Sequence, residues 1–146
     1  MIVIDTSVFV DSLFEKDDVR YSKSNKFLYE IKGCTVFVPR IFIVEFLAVA
    51  SRLGLNIGKE EVMDIASELE IIPEEAIFEL VVTIAEKVHP RAVDAYFIAT
   101  AKLTNSILVS NDKKMVKNAK SAGIESYYLI EEFDKCLNAL KNIKKL

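Results

Sequence analysis

Along this chain, short β-branched runs alternate with longer segments of helical period, and few folds accept that alternation. The runs Ile2 to Asp5, Thr35 to Val38, Glu70 to Ile72, Ser106 to Ser110 and Ser126 to Ile130 read as strands. The helical segments between and after them are Thr6 or Ser7 to Phe14, Ser22 to Ile31, Ile41 to Leu53, Lys59 to Leu69, Glu74 to Val88, Arg91 to Leu103, Lys113 to Ala122 and Glu131 to Lys144. Pro39 and Pro73 stop two of the strands, and Gly33, Gly54 and Gly123 end three of the helices. Glu15 to Arg20 reads as a loop. Strands separated by helices favour parallel pairing, so the expectation is an α/β protein of one domain spanning residues 1–146.

Hydrophobic residues make up 51% of the chain, enough for a substantial core, and the net charge of −3 excludes a nonspecific nucleic-acid coat protein. Any polyanion must therefore be met locally. Cys34 and Cys136 have no partner at metal-ligand or redox spacing, which implies two reduced thiols. The chain opens directly on Met1-Ile2-Val3-Ile4-Asp5, and no apolar run reaches membrane-spanning length, so a cytoplasmic protein is expected.

Acids at four places interrupt otherwise apolar runs: Asp5 closes Ile2-Val3-Ile4, Glu45 divides Ile41 to Val49, Asp94 lies in Ala92 to Ala99, and Asp112 follows Ile107 to Asn111. An ionised carboxylate taken out of water costs several kcal/mol unless a cation or hydrogen-bond donors meet it. No Lys or Arg lies in the immediate apolar run around any of them, which makes a hard divalent cation, Mg²⁺ or Mn²⁺, the simplest common partner. Two carboxylates about 5 Å apart at an effective dielectric of about 20 repel by roughly 3 kcal/mol, so a gathered cluster should take up protons or metal. Asp5 and Asp112 both fall at strand ends, where open parallel sheets bind ligands. Asp94 shares its helix face with Ile98 and Ala101, at i+4 and i+7.

Each acid also has a plainer reading. Asp5 and Asp112 are suited to cap the helices that follow them. Asp94 could pair with Arg91 at i,i+3, a surface interaction worth a few tenths of a kcal/mol, and Glu45 could reach Arg40 or Arg52 only by facing outward. His89, before Pro90, reads as a loop residue outside any catalytic role. Ile77, Leu80, Val81, Ile84 and Val88 form a helix-spaced stripe best explained as core. Arg40 and Arg91 precede acid-bearing helices and are candidates for either ion pairing or substrate contact, while Lys141, Lys144 and Lys145 suit a helix C-terminus. An aspartyl phosphatase would need a second Asp where Ser7 stands, and the pair Asp17-Asp18 falls in a loop, away from where a phospho-receiver domain needs it.

Asp5-Thr6-Ser7, Glu45, Asp94-Ala95-Tyr96-Phe97-Ile98-Ala99-Thr100-Ala101 and Ser110-Asn111-Asp112, in that order and spacing, resemble PIN-domain ribonucleases, among them the compact VapC-type toxins. The resemblance covers essentially the whole chain. It implies a three-layer α/β/α fold with a five-stranded parallel sheet ordered 3-2-1-4-5, which sets the strands before Asp5 and Asp112 side by side. It also implies hydrolysis of RNA phosphodiesters dependent on Mg²⁺ or Mn²⁺, with Asp5, Glu45, Asp94 and Asp112 as catalytic, metal-holding acids and Ser7 and Ser110 in support. A cognate antitoxin partner is part of the same implication, an RNA-processing nuclease or a catalytically silent binding module being the alternatives. The family often has a further acid two residues beyond the last aspartate, where this chain has Lys114. A low positive charge and the long apolar helices Ile41 to Leu53 and Glu74 to Val88 lead to the expectation of a homodimer.

Overall fold

The computed structural model describes residues 1–144, so Lys145 lies outside the described residues. The strands are β1 (Ile2–Ile4), β2 (Val36–Pro39), β3 (Glu70–Ile72), β4 (Ile107–Ser110) and β5 (Ser126–Tyr128). The helices are α1 (Thr6–Asp11), α2 (Asp18–Glu30), α3 (Ile41–Arg52), α4 (Lys59–Ser67), α5 (Glu74–Val88), α6 (Ala92–Thr104), α7 (Lys113–Ser121) and α8 (Phe133–Lys144). All strands are parallel, in the order β3-β2-β1-β4-β5, as the family resemblance implied.

Parallel strands covered on both faces need unbroken apolar runs. Ile2, Val3 and Ile4 have no exposed surface, and they register with Val36 and Phe37 on one side and with Ile107, Leu108 and Val109 on the other. The pairing runs one residue past β1, since the Asp5 amide donates to the Val109 carbonyl at 2.9 Å. Sequence order reverses at this central strand, so the crevice above β1 and β4 is the switch point of the sheet.

Aromatic packing sets the helices over that crevice. Phe9 of α1 meets Phe42 and Phe46 of α3 with centroid distances of 5.1 and 6.2 Å, and Phe42 and Phe46 meet each other edge-on at 5.5 Å. On α5, Ile77, Val81 and Ile84 are buried and Leu80 and Val88 are half-buried, which makes the stripe core as its spacing indicates. Among the described residues no helix is long and apolar enough to cross a membrane, and Cys34 and Cys136 are free.

The boundaries depart from the sequence pattern where side-chain capping outweighs apolar periodicity. Helix α2 begins at Asp18, not Ser22, because Asp17 accepts from the Arg20 amide at 3.2 Å and caps it; within the helix only Ser24 and Phe27 are buried, leaving almost no periodic signal. Helix α1 ends at Asp11, not Phe14. Strand β5 ends at Tyr128, and α8 starts at Phe133 after a turn in which the Glu132 amide donates to the Tyr128 carbonyl at 2.8 Å.

Candidate active site

The extended backbone at Asp5 ends β1 and turns into α1, but its carboxylate does not cap that helix. Instead Oδ2 accepts from Ser7 Oγ and from Ser110 Oγ, both at 2.7 Å. The Ser7 hydroxyl also accepts from the Asn111 amide at 3.0 Å, and Ser110 Oγ accepts from the Asp112 amide at 2.9 Å. Two serines thus stitch the end of β1 to the turn after β4. Burial pushes the Asp5 carboxyl above its ordinary range, the two hydroxyls hold it back in part, and the Asp112 charge adds to the rise.

Glu45 lies between Phe42 and Phe46 on α3, and their packing against Phe9 carries it to the edge of the crevice. Desolvation, with Asp5 and Asp94 as neighbouring charges, pushes its pKa to about 7, and the Thr6 hydroxyl and Arg91 hold it back. Thr6 Oγ1 is itself buried without a hydrogen-bond partner in geometry, so its pull on Glu45 is that of a nearby dipole. No ion pair joins Glu45 to Arg40 or Arg52 among the described residues; Arg40 is engaged with Glu74 at 2.6 Å and Glu75 at 3.2 Å, on the outer surface.

Asp94, in the first turn of α6, is 5% exposed. Burial raises its pKa to about 6 even though Arg91 beside it pulls the other way. Arg91 Nε donates to Asp94 Oδ2 at 3.3 Å, and Arg91 Nη2 donates to Asp112 Oδ2. The i,i+3 pairing of Asp94 with Arg91 is therefore present as its spacing allowed, and the same guanidinium also reaches Asp112, 21 residues further on. Asp112 Oδ1 meanwhile caps α7, accepting from the Lys114 and Met115 amides at 2.9 and 3.3 Å. The capping reading of Asp112 holds, then, alongside its place in the cleft.

All four acids, with Ser7, line one crevice of about 500 Å³, and Ser110 is the buried hydroxyl behind Asp5. Arg20, Arg52, Arg91 and Lys113 share its walls. Every donor offered by the acidic residues is a hard oxygen, and Glu45 and Asp94 are raised first by burial and further by their neighbouring carboxylates, so the donor chemistry fits Mg²⁺ or Mn²⁺. Among the described residues, however, no three carboxylate, histidine or cysteine groups are drawn together into a ready cage. His89 lies outside this lining, exposed at the left-handed C-cap of α5.

A second polar layer behind the acids was not read from the sequence. Asn111 Nδ2 donates to Asp11 Oδ2 and Ser24 Oγ, both at 2.8 Å, and Arg20 Nη1 donates to Asp11 Oδ2 at 3.2 Å and to the Asn111 carbonyl at 3.0 Å. Asp17 before α2 was the one local signal that could have put Arg20 in an ordered helix.

Sheet order and cleft together define the class: a parallel α/β domain whose polar chemistry is concentrated in carboxylates at the switch point. The chain belongs to the PIN domain family, whose model matches residues 2–121. PIN domains are generally nucleases. Similar solved structures include a toxin-antitoxin complex from Klebsiella pneumoniae, at 20% identity over 78% of this chain and 88% of that one, with a TM-score of 0.59. FitAcB from Neisseria gonorrhoeae aligns at 20% identity over 87% of this chain and 96% of that one, with a TM-score of 0.61. A FitAB assembly bound to a DNA fragment aligns at 20% identity over 87% and 94%, with a TM-score of 0.64. No curated protein matches the chain.

Proposed function

We propose that this chain is a divalent-metal-dependent endoribonuclease acting in the cytoplasm, the toxin of a toxin-antitoxin pair. The observation that carries the reading is the convergence of Asp5, Glu45 and Asp94, from three separate elements, on one crevice where burial raises all three pKa values. In this reading Asp5 and Asp94 hold Mg²⁺ or Mn²⁺, directly or through water, with Glu45 and Asp112 completing the set. A bound ion of this kind supplies a water of lowered pKa and neutralises charge on the phosphoryl oxygens. Glu45, with a pKa of about 7, is matched to accept a proton from the attacking water near neutral pH. Ser7 and Ser110 fix the Asp5 carboxylate, and Arg52 and Lys113 at the wall offset phosphate charge.

An antitoxin partner is supported by the likeness to the toxin-antitoxin complex from Klebsiella pneumoniae and by Arg91, whose guanidinium fits between two of these acids. An arginine presented by a partner would occupy the same carboxylates. The reading includes a two-fold homodimer, since Val44 on α3 and Phe78 and Val82 on α5 are 66%, 53% and 48% exposed. Such an interface should bury more than about 1,000 Å². Sedimentation at micromolar concentration should return twice the chain mass, and a monomer there removes the dimer while leaving the site. The Arg91 bridge also favours a second reading, a silent binding module whose acids are already neutralised. Single-stranded RNA incubated with protein and Mn²⁺, with EDTA as control, separates them. Metal-dependent cleavage lost in Asp94→Asn is expected, and uncut RNA with a folded, metal-binding protein selects the silent module.

A further inference from the structure

Beside the acidic crevice runs a larger groove, about 920 Å³, between α7 and the turn that leads into α8. Its rim is the exposed face of α7, where Lys113, Lys114, Lys117 and Lys120 stand at helical spacing and no acid occurs. Four positive charges on nine residues contrast with a chain whose net charge is −3. Met115, Val116 and Ala119 of the same helix are buried, so the lysines are held on a fixed scaffold. Val116 and Tyr128 supply an apolar floor and wall.

The groove joins the crevice. Lys113 and Tyr128 line both, and Asp112, the cap of α7, belongs to the crevice. Arg20 Nη2 lies 3.4 Å from the Tyr128 hydroxyl, tying that ring to the polar layer behind the acids. Across the groove, Glu131 pairs with Lys113 at 3.6 Å and Glu132 with Lys120 at 3.7 Å. Lys114 and Lys117 have no ion pair among the described residues. A rim of ammonium groups over an apolar floor with an aromatic wall matches the amphipathic surface of a single strand, phosphates outward and bases inward.

We propose that α7 is the track for the RNA strand flanking the scissile phosphate, with Lys114 and Lys117 binding its phosphates and Tyr128 packing against a base where the strand enters the crevice. The inference rests on the ribonuclease reading above. It gives the monomer its own basic path, about 13 Å long for nine helical residues, room for a few phosphates. Affinity along such a path is salt-dependent, with a slope of about 0.7 per lysine-bound phosphate of a single strand.

The test is cleavage of a single-stranded RNA by the Mn²⁺-loaded protein across a salt series, comparing the parent, Lys114→Ala/Lys117→Ala, and the charge-matched control Lys87→Ala/Lys102→Ala on α5 and α6. Thermal melts confirm that each variant is folded. The expected result is a several-fold rise in KM for the α7 double variant with kcat within about twofold, and a shallower dependence of KM on salt, neither seen in the control. Equal KM in parent and α7 variant overturns the inference alone, as does an equal rise in the control, which would reduce the effect to net charge. Loss of affinity for an acidic peptide in place of RNA likewise overturns it and assigns the face to a protein partner. Absence of RNA cleavage by the parent overturns the nuclease reading itself and the track with it.

Discussion

The two sides of the crevice solve the same problem differently. On the β1 side, Asp5 and Glu45 have no ion pair among the described residues; Asp5 is held by two hydroxyls and Glu45 by a dipole at a distance. On the α6 side, Asp94 and Asp112 share Arg91, and Asp112 also draws on two α7 amides. Charge is compensated on one side and left in deficit on the other. An added cation gains most where the deficit is, so the β1 side should respond to metal and the α6 side to loss of its arginine.

The largest expected effect is on turnover. Asp5→Asn should reduce RNA cleavage to background, because the amide keeps the shape and loses the charge. Asp112→Asn preserves a good helix cap and removes a carboxylate already paired with Arg91, so it should cost less, about 10–100-fold. Rate measurements at saturating Mn²⁺ rank the two, and equal losses would erase the distinction between the sides.

Metal should also raise stability, since an ion that binds only the folded site at about 100 times its dissociation constant contributes roughly 2.7 kcal/mol, a rise in Tm of roughly 5–10 °C for a domain of this size. Arg91→Met removes the resident cation and should sharpen the response by tightening Mn²⁺ binding, whereas Glu45→Gln should blunt it. Melting curves under Mn²⁺ titration decide this, and no shift in any variant would remove the metal from the account.

Smallest is the pH dependence of the metal-free protein. Folding raises the Glu45 pKa from 4.5 to about 7, so the folded state keeps a proton that the unfolded chain gives up earlier. The associated stability is greatest below about pH 4.5 and declines as pH climbs to 7. Glu45→Gln should flatten that decline and leave the metal-free protein more stable at neutral pH. A parent whose stability rises over the same window would contradict the deficit on the β1 side.

Much of this was legible in sequence because it is local. The runs Ile2 to Ile4 and Ile107 to Val109 declare buried strands, and an acid inside or just after an apolar run declares a carboxylate with no cheap place to go. The order of the sheet came from resemblance, and parallel crossovers alone do not impose it. Illegible were the contacts that join distant segments: Arg91 to Asp112, Asn111 to Asp11 and Ser24, Arg20 to the Asn111 carbonyl. Nothing in the spacing of those residues marks them as neighbours. The start of α2 was hidden because its cap is polar and its buried face is two residues wide.

The pairing of β1 with β4 also sets when in its own synthesis this protein acquires a cleft. The first strand emerges early, but one of its edges stays open until the segment through Ser110 arrives, and Asp5 finds its second hydroxyl only then. Contacts that close so long a loop form late and slowly. A nascent chain stopped before Asp112 carries three of the four acids with no crevice to gather them, so it should be inert.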